Sequence, residues 1–229
     1  GFGLTLNWNR LGSGQHTVKA FANGVKFGDV SFTITTLDVE TPFLRGVQKS
    51  QAITDFPAHD PHPFTLVWSE PNQNFMIGTD QPPSGSGSGN DATHQLENPQ
   101  AGAFASGIGL ISGWVCQADE ITLQIDDYPL VKAAYGTTRA DTIPSCGDDN
   151  NGFGLTLNWN ILGAGTHTVR ALADGIEFAR ASFTVTTLGD RFLREVSGSY
   201  GVDDFPAPGN QTTVQWSEAL QNFVITGKQ

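Results

Sequence analysis

Positive charge is scarce in this 229-residue chain, with 12 Lys plus Arg against 23 Asp plus Glu and a formal net charge of −11. Phosphate binding needs concentrated positive charge, so the composition argues against a nucleic-acid partner. An anionic membrane surface is disfavoured for the same reason, and acidity of this size suits a surface that resists nonspecific association. No apolar run approaches the ~18 residues of a membrane helix, so no membrane insertion is expected. Helical periodicity is missing too, because helix formers are nowhere grouped at 3.6-residue spacing over three turns. The chain opens on a strand-like segment, and no signal peptide is expected within the sequence. Cysteine is nearly absent: Cys116 and Cys146 stand alone, 30 residues apart. Two free thiols would suit a cytosolic protein, but the polar, turn-rich surroundings GWVCQADE and PSCGDDNN do not suit buried inert thiols. A disulfide is expected instead. Closing that loop is worth roughly 3–4 kcal/mol in the chain-entropy model, and it implies an oxidising, extracellular compartment, secreted or at the cell surface.

Glycine is abundant, at 27 residues, and Thr, Val, Ile and Phe recur in short runs. An all-β fold fits that pattern. The dominant feature is a repeat. Residues 152–188, GFGLTLNWNILGAGTHTVRALADGIEFARASFTVTTL, return residues 1–37, GFGLTLNWNRLGSGQHTVKAFANGVKFGDVSFTITTL, at roughly two-thirds identity. Similarity continues through TPFLRGV and DRFLREV (41–47, 190–196), then ITDFPA and VDDFPA (53–58, 202–207). It ends with FTLVWSEPNQNFMI and TTVQWSEALQNFVI (64–77, 212–225), each read as a hairpin. The first copy begins within the repeated unit. The chain is therefore expected to be a fragment, a processed product or one window on a longer array.

In order along the chain, residues 1–9 alternate Phe2, Leu4, Leu6, Trp8 with small or polar residues, the period of a strand with one buried face. Strands are expected over 16–22 and 30–37, joined by a hairpin at Asn23-Gly24; the second copy has Asp174-Gly175 there, the other favoured pair. Residues 80–95, DQPPSGSGSGNDATHQ, have linker composition. The expected domains are a partial unit, 1–79, the linker 80–95, and a complete unit, 96–229, behaving as separate beads. Residues 96–151 lack a counterpart upstream and add strands at 106–116 and 120–127, then a further strand and a loop over 128–141. Eight or nine short strands at roughly ten-residue spacing in the full unit argue for an antiparallel β-sandwich.

The run GWVCQADEITLQIDD, then AAYGTTRAD, then NNGFGLTLNWNILGAGTHTVRALADG and ASFTVTT resembles a bacterial immunoglobulin-like module. The resemblance covers nearly all of 106–187, and its second half covers 1–36. It implies an extracellular immunoglobulin-like sandwich used in arrays on surface proteins, adhesins and multimodular enzymes, with Arg139 and Asp141 paired within one turn. It implies no activity. The tail hairpin at 212–225 falls outside it, as extra edge strands or a small subdomain.

Candidates for chemistry are few. His16 and His167 each open a strand without a second ligand at metal spacing, which favours a structural role. His59 and His62 have no match in the second copy. Asp148, Asp149, Asn150 and Asn151, with Asp126 and Asp127 as helpers, resemble an oxygen-rich cation loop but lack the order of a calcium loop, and an Asp/Asn turn explains them without metal. Trp8 and Trp159 belong on apolar strand faces. Trp68 and Trp216 lie in the tail hairpins, as core or as a sugar-stacking platform. Asn210-Gln211-Thr212 is an acceptor sequon for glycosylation. No nucleophile elbow or cysteine–histidine pair is present. No catalytic, cofactor or metal-binding residue is assigned.

The function expected is non-enzymatic: a structural subunit of an extracellular filament or array. A half-sandwich exposes strand edges and an apolar face, so the first unit would take its missing strands from another chain, head to tail. The partner is then a second copy. The alternative is an adhesin or carbohydrate-binding module with a cell-surface glycan or protein as ligand.

Overall fold

The computed structural model describes residues 8–37, 43–57, 63–79, 85–189 and 191–229. Its regular structure is almost all antiparallel β-sheet. A short 3₁₀ turn, Trp8–Leu11, leads into a two-stranded hairpin of β1 (Gly14–Ala22) and β2 (Val25–Ile34). At its tip Asn23 and Gly24 both take positive φ, 49° and 79°, as a two-residue turn of this kind requires. A three-stranded tail sheet follows, β3 (Ser50–Ile53), β4 (Phe64–Ser69) and β5 (Asn74–Gly78), paired in that order.

The second unit supplies β6 (Gly87–Ser88), β7 (His94–Asn98), β8 (Phe104–Ala105), β9 (Ile108–Val115) and β10 (Ile121–Ile125). It continues with β11 (Val131–Lys132), β12 (Ala134–Thr137), the single helical turn α1 (Ile143–Cys146), β13 (Gly152–Asn158), β14 (Gly165–Ala173) and β15 (Ile176–Val185). One sheet runs β12-β13-β9-β7; the other runs β11-β10-β14-β15-β6, with β8 parallel along β15. Ile111, Val115 and Phe153 from the first sheet meet Ile121, Leu123, Val169, Ala171 and Phe183 from the second in one core. The unit ends in its own tail sheet, β16 (Ser199–Asp203), β17 (Gln211–Ser217) and β18 (Asn222–Lys228).

Three expectations change. The strand expected over 1–9 lies outside the described residues up to Asn7, while Trp8 and Asn9 sit in the 3₁₀ turn. In the second copy β13 stops at Asn158, whose side chain accepts from the Asn160 backbone N–H at 3.0 Å and caps a matching turn, Trp159–Leu162. The strand number of the full unit is also higher, in part because β8 and β11 are two residues long and too short to carry a pattern.

The third change concerns the Gly/Ser stretch. Within the expected linker 80–95, residues 80–84 lie outside the described residues, but 85–95 belongs to the sandwich. Gly87 and Ser88 pair with β15, and the Ser182 N–H donates to Ser86 O at 2.7 Å. A Cβ at Gly85 would stand 2.0 Å from Ser182 O, and one at Gly89 1.9 Å from Phe178 O. The alternation of glycine with serine is therefore strand periodicity, with a side-chain-free edge laid against a neighbouring backbone.

Candidate functional site

The two tail sheets share one core. Phe56, Phe64, Trp68, Phe75 and Ile77 from the first close on Val202, Phe205, Val214, Trp216 and Phe223 from the second. The expected arrangement of beads is thus overturned: burying these aromatic faces requires both repeats together. Tail contacts extend to the sandwich. Ile77 N–H donates to Ser106 Oγ at 3.0 Å, Thr186 Oγ1 donates to Ile77 O, and Ile108 N–H donates to Leu220 O at 2.7 Å.

The repeated Trp-Ser-Glu-x-x-Gln-Asn-Phe motif explains this geometry residue by residue. Gln73 takes Leu44 N–H at 2.6 Å and donates to Leu44 O and Glu70 O; Gln221 does the same with Leu193 and Glu218. The carboxylates of Glu70 and Glu218 accept from Gly46 and Glu195 N–H. These bonds clamp the Phe-Leu-Arg segment of each repeat onto its own tail. The asparagines reach across instead: Asn74 Nδ2 donates to Phe223 O at 2.9 Å and Asn222 Nδ2 to Phe75 O at 3.3 Å. Tyr200 adds a further tie across the tails. Burial, and its hydrogen bond to the Asp55 carboxylate, push its pKa up to about 12. The sequence showed this motif as a hairpin; its division into clamping and bridging amides became visible only with the partner tail in place.

Trp68 and Trp216 are both buried, each 7% exposed, and neither offers a ring face to a sugar. Among the described residues neither indole N–H meets an acceptor, which marks the rings as packing elements.

A disulfide joins Cys116 and Cys146, with their Cα atoms 4.9 Å apart. Beside it lies a hub that the sequence did not reveal in full. The Arg139 guanidinium pairs with Asp141, at 2.8 and 2.6 Å, and also grips the Glu97 carboxylate at 2.7 and 2.9 Å. Both partners raise the Arg139 pKa, and its hydrogen bonds lower that of Asp141. Glu97 lies on β7 and had no sequence signal, since nothing near it repeats.

The remaining candidates have local roles. His167 binds Asp126 Oδ2 at 2.7 Å and Gly163 O at 3.1 Å, and His16 binds Gly12 O at 3.0 Å. Asp126 also accepts from Thr168 N–H, so it is engaged away from the Asp148–Asn151 loop. In that loop Asn151 is buried and donates to Thr142 Oγ1 and Asp148 O, both at 2.9 Å. Among the described residues no group of three His, Cys, Asp or Glu is placed to hold a metal ion. His59 and His62 lie outside the described residues. Asn210 donates its N–H to Ala207 O in the turn before β17. Among the described residues no helix is long and apolar enough to cross a membrane.

Against protein-family models the chain matches none, and a search of curated proteins finds no match.

The hairpin β1-β2 presents an apolar surface. Val18, Phe21, Val25, Phe27 and Val30 are all exposed on it. Trp8 packs edge-on against Phe32 at 4.9 Å but is itself 45% exposed, whereas its counterpart Trp159 is 2% exposed.

Proposed function

We propose that this chain is part of a non-enzymatic extracellular repeat protein, built of immunoglobulin-like modules and serving as a structural subunit of a surface filament or array. The module assignment is supported by strand order. With β7, β9, β13 and β12 as strands A, B, E and D, and β10, β14 and β15 as C, F and G, the sheets run A-B-E-D and C-F-G. The disulfide departs from the antibody pattern, linking the end of B to the loop between D and E. It still favours an oxidising compartment.

The observation that carries the proposal is the bare inner face of β1-β2. Val18 is 41% exposed and Val30 61%, while the corresponding Val169 and Ala181 are 0% and 4% exposed beneath the facing sheet. An apolar face whose strand edges are unpaired among the described residues calls for a partner. The partner of matching chemistry is the front half of a like module, the counterpart of 85–151.

A chain with a second copy of residues 85–151 placed ahead of Gly1 tests this. Amide exchange in 14–34 is expected to slow to the level of 165–185, and the added cysteine pair to oxidise. Exchange that stays fast would overturn the proposal.

A further inference from the structure

Aligning the motifs makes Phe56 equivalent to Phe205, Trp68 to Trp216, Asn74 to Asn222 and Phe75 to Phe223. Most of the principal contacts between the tails are then reciprocal. Phe56 meets Trp216 at 5.0 Å, and Phe205 meets Trp68 at 4.8 Å. Phe56 meets Phe223 at 5.1 Å, and Phe205 meets Phe75 at 4.9 Å. The two asparagines exchange bonds in the same way, each donating to the carbonyl beside its counterpart. Contacts in which residue i meets j′ while j meets i′ define an isologous interface, in which one patch faces its own image.

We propose that the tail sheet is a self-complementary docking module, whose patch takes the tail of a second copy of this chain when the neighbouring repeat's tail is displaced. The proposal stands on this interface alone, whichever way the module assignment is decided. Two positions where only one tail carries a ring break the symmetry and rank the possible pairs. Phe64, 5.9 Å from Phe223, stands where the second tail has Thr212; Tyr200, 5.7 Å from Phe223, stands where the first has Gln51. All three rings gather on one side, so a first tail joined to a second tail outranks two second tails.

The test uses the full chain in three variants: F56A/W68A strips the first patch, F205A/W216A strips the second, and the fourfold variant strips both. Sedimentation velocity over a dilution series is expected to show F56A/W68A doubling its mass with concentration, through its intact second tails. An equimolar mixture of the two double variants is expected to form a 1:1 complex through the native pair in trans. That complex should appear at concentrations about ten-fold lower than the F56A/W68A homodimer, a ratio worth one restored aromatic pair. The fourfold variant sets the baseline for association through any other surface. A mixture that sediments as its separate components overturns the proposal, and so does a fourfold variant that associates equally well. Freed tails that unfold, seen as red-shifted tryptophan emission without added mass, overturn it too. Near-ultraviolet dichroism from the disulfide-linked sandwich shows that the rest of the chain is intact.

Discussion

The hairpins 14–34 and 165–185 are one structure in two settings. Both turn at a positive-φ pair, Asn23-Gly24 and Asp174-Gly175. Both keep the same register, Gly14 opposite Ile34 and Gly165 opposite Val185, with an irregularity at the same place, between Ala20 and Phe21 and between Ala171 and Leu172. Among the described residues only the second is joined by β10, β8 and β6 and roofed by the sheet β12-β13-β9-β7. Turn chemistry and alternation therefore specify the hairpin locally, whereas burial of its inner face is supplied from elsewhere in the fold.

The sharpest way to break this comparison is to place a charge at equivalent sites. Val169→Asp buries an unpaired carboxylate in the sandwich core and is expected to cost about 4 kcal/mol or more, enough to unfold it. Val18→Asp lies on the bare face and should stay within ~0.5 kcal/mol. Denaturant titration checks both, and equal costs would mean that the first hairpin is covered in solution. Next in size is the double substitution C116S/C146S. It should lower sandwich stability by about 3 kcal/mol through loss of the closed loop, quickening amide exchange in 165–185 and leaving 14–34 unchanged. The smallest effect lies in the tails, outside both hairpins. Tyr200 favours its neutral form in the fold, so its contribution to stability is full below the ordinary tyrosine pKa of 10 and is lost as pH rises through about 12. Tyrosinate absorbance should show a late-titrating group near pH 12 that Y200F removes.

Much of the all-β organisation was legible. The hairpin turns and the alternation of Ile121 with Leu123 on β10 rest on short-range chemistry, while the pairing of Arg139 with Asp141 was implied by the module resemblance. The polar setting of the two cysteines was equally local evidence for the bond between them. What stayed hidden was long-range. Gly85, Gly87 and Gly89 have the composition of a linker, and only the backbone of 178–182 beside them turns that composition into an edge strand. Trp68 and Trp216 read as core with a sugar platform as the alternative, and the surface that decides between them belongs, for each, to the other repeat. Glu97 carried no signal, since its partner lies 42 residues away.

A patch matched to its own image is used up by a single partner. In any longer run of such repeats, then, the tails would sort into couples, and a third tail would have to wait for a fourth. The joint inside each couple would be stapled by its aromatic core, while the joint between couples would carry no such staple. Stiffness along the run would therefore alternate, and adding one repeat would do something different from adding two.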